Sequence, residues 1–265
     1  MGADYVAVKV WGDLALFTRP ELKVERVSYP MMTPSAARGV LDAIMFRPQM
    51  RWHIRRIKAI EPQFPHDFPE TARELPYRLV PVRRNEIQDK IPDVSKWMKD
   101  PSTFQPYLVD SAGRDDVQGS HRTQRNSLLL QHVAYLIEAT PVLTPRANLP
   151  RTKPEDSEDR GPDSVAKYVA MFERRVAKGQ CFHRPYLGCR EFACHFGAPN
   201  GQERLLEWTA DLGLMLYDIQ HTSSGETQPG FFLAQVRNGV LHCDTLKAGP
   251  NSEPPIQVIG WKSEE

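Results

Sequence analysis

Residues 33–60 read TPSAARGVLDAIMFRPQMRWHIRRIKAI, and two hydrophobic periods meet within them. Thr33 followed by Pro34 is a helix N-cap and first-turn proline. Ala37, Val40, Leu41, Ile44 and Met45 then recur at helical spacing. Pro48 stops the helix. From Arg51 to Ile60 the period drops to two, which puts Arg51, His53 and Arg55 on one face of a strand and Trp52 and Ile54 on the other. A helix feeding directly into a strand with one basic and one apolar face is the nucleus of an α+β fold.

Upstream, Val6, Val8 and Val10 alternate within residues 5–17 and predict a first strand with one buried face. Downstream, Val133, Tyr135, Ile137 and Ala139 alternate within residues 128–142 and predict another. The order strand, helix, strand, long connection, strand fits a split βαβ or ferredoxin-like sheet. The connection, residues 62–119, carries many prolines and few periodic stretches. It is longer than a compact domain spends on one loop and is the expected partner-facing element, with Trp97, Phe104 and Tyr107 scattered along it.

Residues 150–163 hold Glu155, Asp156, Glu158, Asp159 and Asp163 with almost no apolar side chain, and read as a linker or surface loop. Beyond it, Val165, Tyr168, Val169, Phe172 and Val176 form a helical stripe closed by Gly179. Lys167, Met171, Arg174 and Lys178 gather opposite, with Arg175 on the flank. The alternations Phe192, Cys194, Phe196 and Leu212, Leu214, Leu216 then predict strands. Asn238-Gly239 fits a type I′ turn joining Phe232, Ala234 and Val236 to a strand around Leu241 and Cys243. The expected organisation is residues 1–150 as one unit with 62–119 inserted, and residues 151–265 as linker, basic helix and a smaller β-rich unit.

With 265 residues and 40% hydrophobic content the chain can bury a sizeable core. No apolar run approaches the roughly 20 residues that span a bilayer, and the N-terminus lacks a secretory pattern, so a cytoplasmic protein without a membrane partner is expected. The net charge of +1 averages a basic N-terminal region with the acidic stretch. Arg47, Arg51, His53, Arg55, Arg56 and Lys58 fall between positions 47 and 58 without one acidic residue, a concentration suited to phosphates or to an ordinary solvated face. No P-loop and no strand-coupled Gly-x-Gly-x-x-Gly occurs, which argues against ATP and dinucleotide chemistry. Cys181, His183, Cys189, Cys194 and His195 lack the two-residue cysteine spacing of structural zinc sites, so reduced thiols and no metal or other cofactor are expected.

The run KGQCFHRPYLGCREF at 178–192 resembles the signature of the Cas-five family of CRISPR-associated proteins, subtype c/d. Trp11-Gly12-Asp13, Leu16-Phe17, Tyr29-Pro30, the segment PSAARG at 34–39 and Thr123-Gln124-Arg125-Asn126 resemble it too, so the likeness covers most of the chain. The resemblance implies an RRM-like N-terminal domain and a smaller β-rich, antiparallel C-terminal domain. It also implies the precursor-RNA processing subunit of a type I-C system, an endoribonuclease that cuts each repeat hairpin and stays on the 5′ handle of the mature RNA. Its partners would be that RNA and the backbone and large subunits of the surveillance complex, in antiviral defence. A non-catalytic handle-binding subunit and a general duplex-DNA binder are the competing readings.

Cleavage of this kind needs no metal, because the RNA 2′-hydroxyl attacks the adjacent phosphate to leave a 2′,3′-cyclic phosphate and a 5′-hydroxyl. The protein aligns the groups, assists proton transfer and stabilises phosphorane charge. The family pattern has a tyrosine near the end of the first helix and a Lys-His pair opening the later basic helix. Here those places hold Met45 and Lys167-Tyr168. Lys167 carries over; Tyr168 either supplies a hydroxyl or packs; and an imidazole comes from His183 or from His121. The RNA-contacting set expected from the resemblance is Arg38, Arg47, Arg51, His53, Arg55, Arg56, His121, Arg122, Arg125, Arg174, Arg175, Lys178 and Arg190.

Overall fold

The computed structural model describes residues 4–22, 25–62, 77–87, 94–103, 122–148, 163–221, 226–246 and 254–261. Strand β1 (Val6–Ala15) is followed by a two-residue strand β2 (Arg26–Val27), helix α1 (Pro34–Ile44) and strand β3 (Met50–Ala59). Thr33 caps α1, its hydroxyl accepting from the Ala36 N–H at 3.2 Å, and the helix ends at Met45, ahead of Pro48. In β1, Val6, Val8 and Val10 are buried as the alternation requires. In β3 a bulge between Ile54 and Arg56 interrupts the alternation, so Arg55 and Arg56 both turn outward.

Strand β4 (Arg78–Ile87) and a short helix α2 (Val94–Lys99) lie inside the segment that sequence reads as irregular. Pro81 hides this strand from a pattern reading. The structure tolerates it because β4 pairs only with β5 (Arg122–Leu143) and sits at an edge. β5 is 22 residues long and is broken in its pairing by His132, whose φ is +51°. Before His132 it pairs with β4 and β2, after it with β3, and β1 runs alongside it across His132 from Leu130 to Ala139.

Helix α3 (Val165–Ala177) follows, capped by Ser164 and closed by Gly179 at φ +61°. Then come β6 (His195–Gly197), β7 (Ala210–His221), β8 (Thr227–Arg237) and β9 (Val240–His242). Asn238 and Gly239, at φ +49° and +76°, make the expected β8–β9 hairpin. In β7 two bulges reset the parity, so that Met215 and Tyr217 are buried while Leu214 faces solvent.

The described strands form one mostly antiparallel sheet in the order β6-β1-β5-β3-β9-β8-β7, in which only β2 runs parallel to its neighbour. Helix α1 packs between β3 and β7, and α3 lies against β1 and β5. One buried cluster runs through both helices and from β1 to β9. Leu41 and Ile44 of α1, Trp52 of β3, Tyr135 of β5, Phe172 of α3 and Phe232 of β8 all belong to it. Fully burying such side chains contributes about 1.5–3 kcal/mol each, so α3 and β6, beyond residue 150, share the core of β1, α1 and β3. No helix among the described residues is long and apolar enough to cross a membrane.

Candidate active site

The first turn of α3 is built by local chemistry. The Ser164 hydroxyl accepts from the Lys167 N–H at 3.2 Å, and Lys167 Nζ lies 2.9 Å from Asp163 Oδ1, one turn back. Asp163 is nearly buried, its side chain 9% exposed, so the ammonium is held by an oriented carboxylate on the shoulder of the helix. Tyr168, next along, turns into the core at 3% exposure and has the packing position left open by the sequence. Met45 is likewise buried, at 2%.

His183 is exposed in the loop that follows α3. The N–H groups of Phe182 and His183 both donate to the Ala43 carbonyl at 2.8 and 3.2 Å, and Arg175 Nε donates to the Ile44 carbonyl at 2.9 Å. Gln180 N–H closes onto the Arg175 carbonyl at 2.9 Å. The loop is therefore clamped onto the last turn of α1, whose carbonyls lack helical partners. Lys167 stands at the other end of α3, separated from Arg175 by eight residues, about 12 Å of helix rise. His183 is thus brought to the seam between α1 and α3, and Lys167 to its opposite end.

Of the expected RNA-contacting residues, Arg47, Arg174, Lys178 and Arg190 are exposed, and no salt bridge of theirs occurs among the described residues. Arg125 is half-buried on β5. Arg122 begins β5, and His121 lies outside the described residues.

The basic strand differs most from expectation. Arg38 and Arg51 share Asp218, at 2.8 and 3.0 Å to its two carboxylate oxygens, and Arg38 also faces Asp42 at 3.6 Å. His53 and Arg55 share Asp244 at 2.8 and 3.1 Å. Arg56 and Lys58 share Glu138. Asp218, Asp244 and Glu138 are all buried, so the strand is a row of compensated ion pairs rather than a bare cationic face. Burial alone would raise the Asp244 carboxyl, but hydrogen bonds from His53, the Leu246 N–H and Arg55 outweigh it and hold it below its ordinary value.

Sequence reading misses these carboxylates because they arrive from segments 80 or more residues away, whereas Asp163, four positions before Lys167, is legible by helix spacing but sits in the acidic stretch.

The rest of the signature run is structural. Leu187, fully buried, accepts from the Leu16 N–H at 3.0 Å through its carbonyl and donates to Phe192 O at 2.7 Å. Cys194 N–H reaches Pro185 O at 3.0 Å, so residues 185–194 fold back as a clasp on the end of β1. The four cysteines form no disulfide, and burial pushes the Cys194 thiol up to about 12. No group of three or more His, Cys, Asp or Glu suited to a metal occurs among the described residues.

Residues 5–244 match the family model described as CRISPR-associated protein Cas5, subtype Cas5d. The chain is 40% identical over 248 residues to the CRISPR pre-crRNA endoribonuclease Cas5d of Mannheimia succiniciproducens, covering 90% of this chain and 94% of that protein. It is 38% identical over 257 residues to the protein of the same name from Thermus thermophilus, covering 91% of each. A solved structure titled as a CRISPR-associated protein superposes with a TM-score of 0.55 at 20% identity, covering 93% of each chain, and is similar in fold.

Proposed function

The chain belongs to the Cas5d family of CRISPR-associated proteins, and from that we propose that it is a pre-crRNA endoribonuclease that cuts the repeat hairpin without a metal. The observation carrying this reading is the identity of 40% along nine-tenths of the chain to a protein of that name. The reaction is attack of a ribose 2′-oxygen on the adjacent phosphorus, with the 5′-oxygen leaving. It requires in-line alignment, a proton acceptor for the 2′-hydroxyl, and a proton donor or charge for the leaving oxygen and the phosphorane.

Lys167, oriented by Asp163, is the group for phosphorane charge or for protonating the leaving oxygen. His183, the imidazole exposed at the seam between α1 and α3 near Met45, stands at the opposite end of α3 from Lys167, so it holds the RNA chain beside the cut rather than sharing the scissile phosphate with Lys167. Tyr168 takes part only if its hydroxyl reaches the phosphate from a buried ring. Arg47, Arg174, Arg175, Lys178, Arg190 and, nearer β5, Arg122 and Arg125 hold the RNA backbone, which positions without reading bases. Arg38, Arg51, His53, Arg55 and Arg56 contribute donors left over from their ion pairs.

The strand order β6-β1-β5-β3 with α1 and α3 as crossovers supports an RRM-like, ferredoxin-like unit, and β7 to β9 a smaller β-rich one. This unit corresponds to residues 1–150 with 62–119 inserted, completed by α3 and β6 from the 151–265 part. The enzyme works in the cytoplasm, remains on the 5′ handle, and assembles with the backbone and large subunits of a type I-C surveillance complex. Duplex DNA is the weaker partner, since most cations of β3 are compensated; competition between repeat RNA and random DNA across a salt series measures the preference.

The test incubates the protein with its repeat RNA in excess EDTA, beside a 2′-deoxy substrate at the cut site and the Lys167→Ala variant. One specific cut that survives EDTA, vanishes with the 2′-deoxy substrate and falls about 10²–10⁴-fold in the variant is the expected result. A second reading, handle capping without cleavage, draws on the burial of Met45 and Tyr168 at 2% and 3% exposure. It predicts tight hairpin binding and no product.

A further inference from the structure

A cavity of about 360 Å³ opens beside β3, between the start of α1, the end of β5, β7 and the side chains of Thr245, Leu246 and Trp261. That is near the small end of the roughly 300–1,000 Å³ typical of small-molecule sites, the scale of one nucleotide rather than of a helix. Its depth is polar: Asp218, 5% exposed, fixes the guanidinium groups of Arg38 and Arg51 through its two oxygens. Its mouth is apolar, with Leu143 and Leu246 on the rim at 38% and 48% exposure, and Tyr217 and Trp52 in the walls.

The charge balance narrows the occupant. Two guanidiniums face two carboxylates, Asp218 and Asp42, so among the described residues the cavity holds no uncompensated cation to draw in a phosphate or an acidic peptide. What it offers is hydrogen-bonding capacity inside an apolar slot. A guanidinium has five N–H donors, and Arg51 spends one nitrogen on Asp218 while its side chain stays 51% exposed. A flat, neutral ring with an acceptor edge fits both features: aliphatic and aromatic walls cover its faces, and oriented donors meet its rim.

We propose that this cavity takes one unstacked purine base of the single-stranded part of the repeat RNA, with Arg51 donating to its acceptor edge; guanine, whose O6 and N7 accept side by side, fits best. This rests on the reading of the chain as a repeat-RNA endoribonuclease. The location supports it. Trp52, in the cavity wall, donates through Nε1 to the Met45 carbonyl at 3.2 Å and meets Phe172 of α3 edge-on at 4.8 Å. A base seated here is one tryptophan away from the seam between α1 and α3, so the cavity is a register mark for the RNA beside the cleavage centre.

The test measures dissociation constants of the full chain for a series of repeat RNAs, each with one abasic nucleotide. Wild type, Arg51→Ala and Leu246→Trp are compared, the last filling the cavity from its exposed rim. Thermal denaturation checks that both variants fold. In the wild type, one unpaired purine position is expected to lose roughly 5- to 150-fold in affinity when made abasic, the range for a stacked base. In both variants that loss shrinks to less than about twofold, while losses elsewhere are unchanged. An abasic profile that stays the same in both variants overturns the proposal. So does a uniform loss at every position in Arg51→Ala, which marks a phosphate contact. An unchanged RNA profile with loss of co-purifying complex subunits assigns the cavity to a protein partner and overturns it too. A wild type that cuts the repeat but has a variant-insensitive profile sinks only this inference; a wild type that neither binds nor cuts the repeat sinks the functional reading with it.

Discussion

Gly188 sits at φ +86°, and a Cβ there would collide with the Leu16 carbonyl. The left-handed conformation alone costs a non-glycine residue about 1–3 kcal/mol, and the collision adds to it. Gly188→Ala is therefore expected to lower the melting temperature by several degrees and to loosen the clasp of residues 185–194 on β1; a wild-type melting curve would contradict that account.

Asp42 makes a second prediction. Burial is the largest influence on its carboxyl, Arg38 and Arg51 oppose it, Asp218 reinforces it, and the outcome is a value pushed up to about 6 from 3.8. The folded protein then holds this proton more tightly than the unfolded chain. The associated stability is complete below pH 3.8 and is lost as pH rises through about 6. Chemical denaturation between those limits should show it, and Asp42→Asn should flatten that part of the curve. Asp244 has the opposite sign, since its carboxyl is held below the ordinary value: its contribution is present at neutral pH and disappears as pH falls through the acid range.

Helix α3 and strand β3 look alike in composition and differ in electrostatics. Arg174 and Lys178 of the α3 end are exposed without ion pairs among the described residues, whereas Arg55 of β3 is bound to Asp244. Replacing Arg174 and Lys178 by Gln should reduce the salt slope of RNA affinity by about 0.7 for each phosphate the two side chains neutralise. Arg55→Gln should change it less, and equal changes would show that the β3 ion pairs open on binding.

That contrast also marks the limit of what the chain discloses in one dimension. Helices α1 and α3 and the Asn238-Gly239 hairpin are legible because their caps, stripes and turn residues are local. Strand β4 is hidden by Pro81, and the buried parity of β7 by two bulges that no periodicity announces. Lys167 is legible at the start of α3, but at the other end of that helix Ala43 and His183 come together only through hydrogen bonds spanning some 140 positions. The neutralising carboxylates of β3 are invisible for the same reason.

For the molecule entire, the core cluster draws on β1, α1, β3, β5, α3, β7, β8 and β9, and β6 joins the sheet beside β1. The chain should accordingly unfold in one calorimetric transition, and a fragment of residues 1–150, lacking α3 and β6, should remain unfolded by circular dichroism. Two separate transitions, or a folded fragment, would show that the halves are independent.

The same sheet order dictates a timetable. β1 leaves the ribosome before both of its neighbours, β5, paired from Leu130 to Ala139, and β6 at His195–Gly197. At about 5–20 residues per second, synthesis leaves this apolar strand without its second neighbour for roughly ten to forty seconds. Nascent chains therefore carry a strand with an open edge from the synthesis of β1 until that of β6, and the yield of native protein depends on what shields Val6, Val8 and Val10 until the signature loop and β6 emerge.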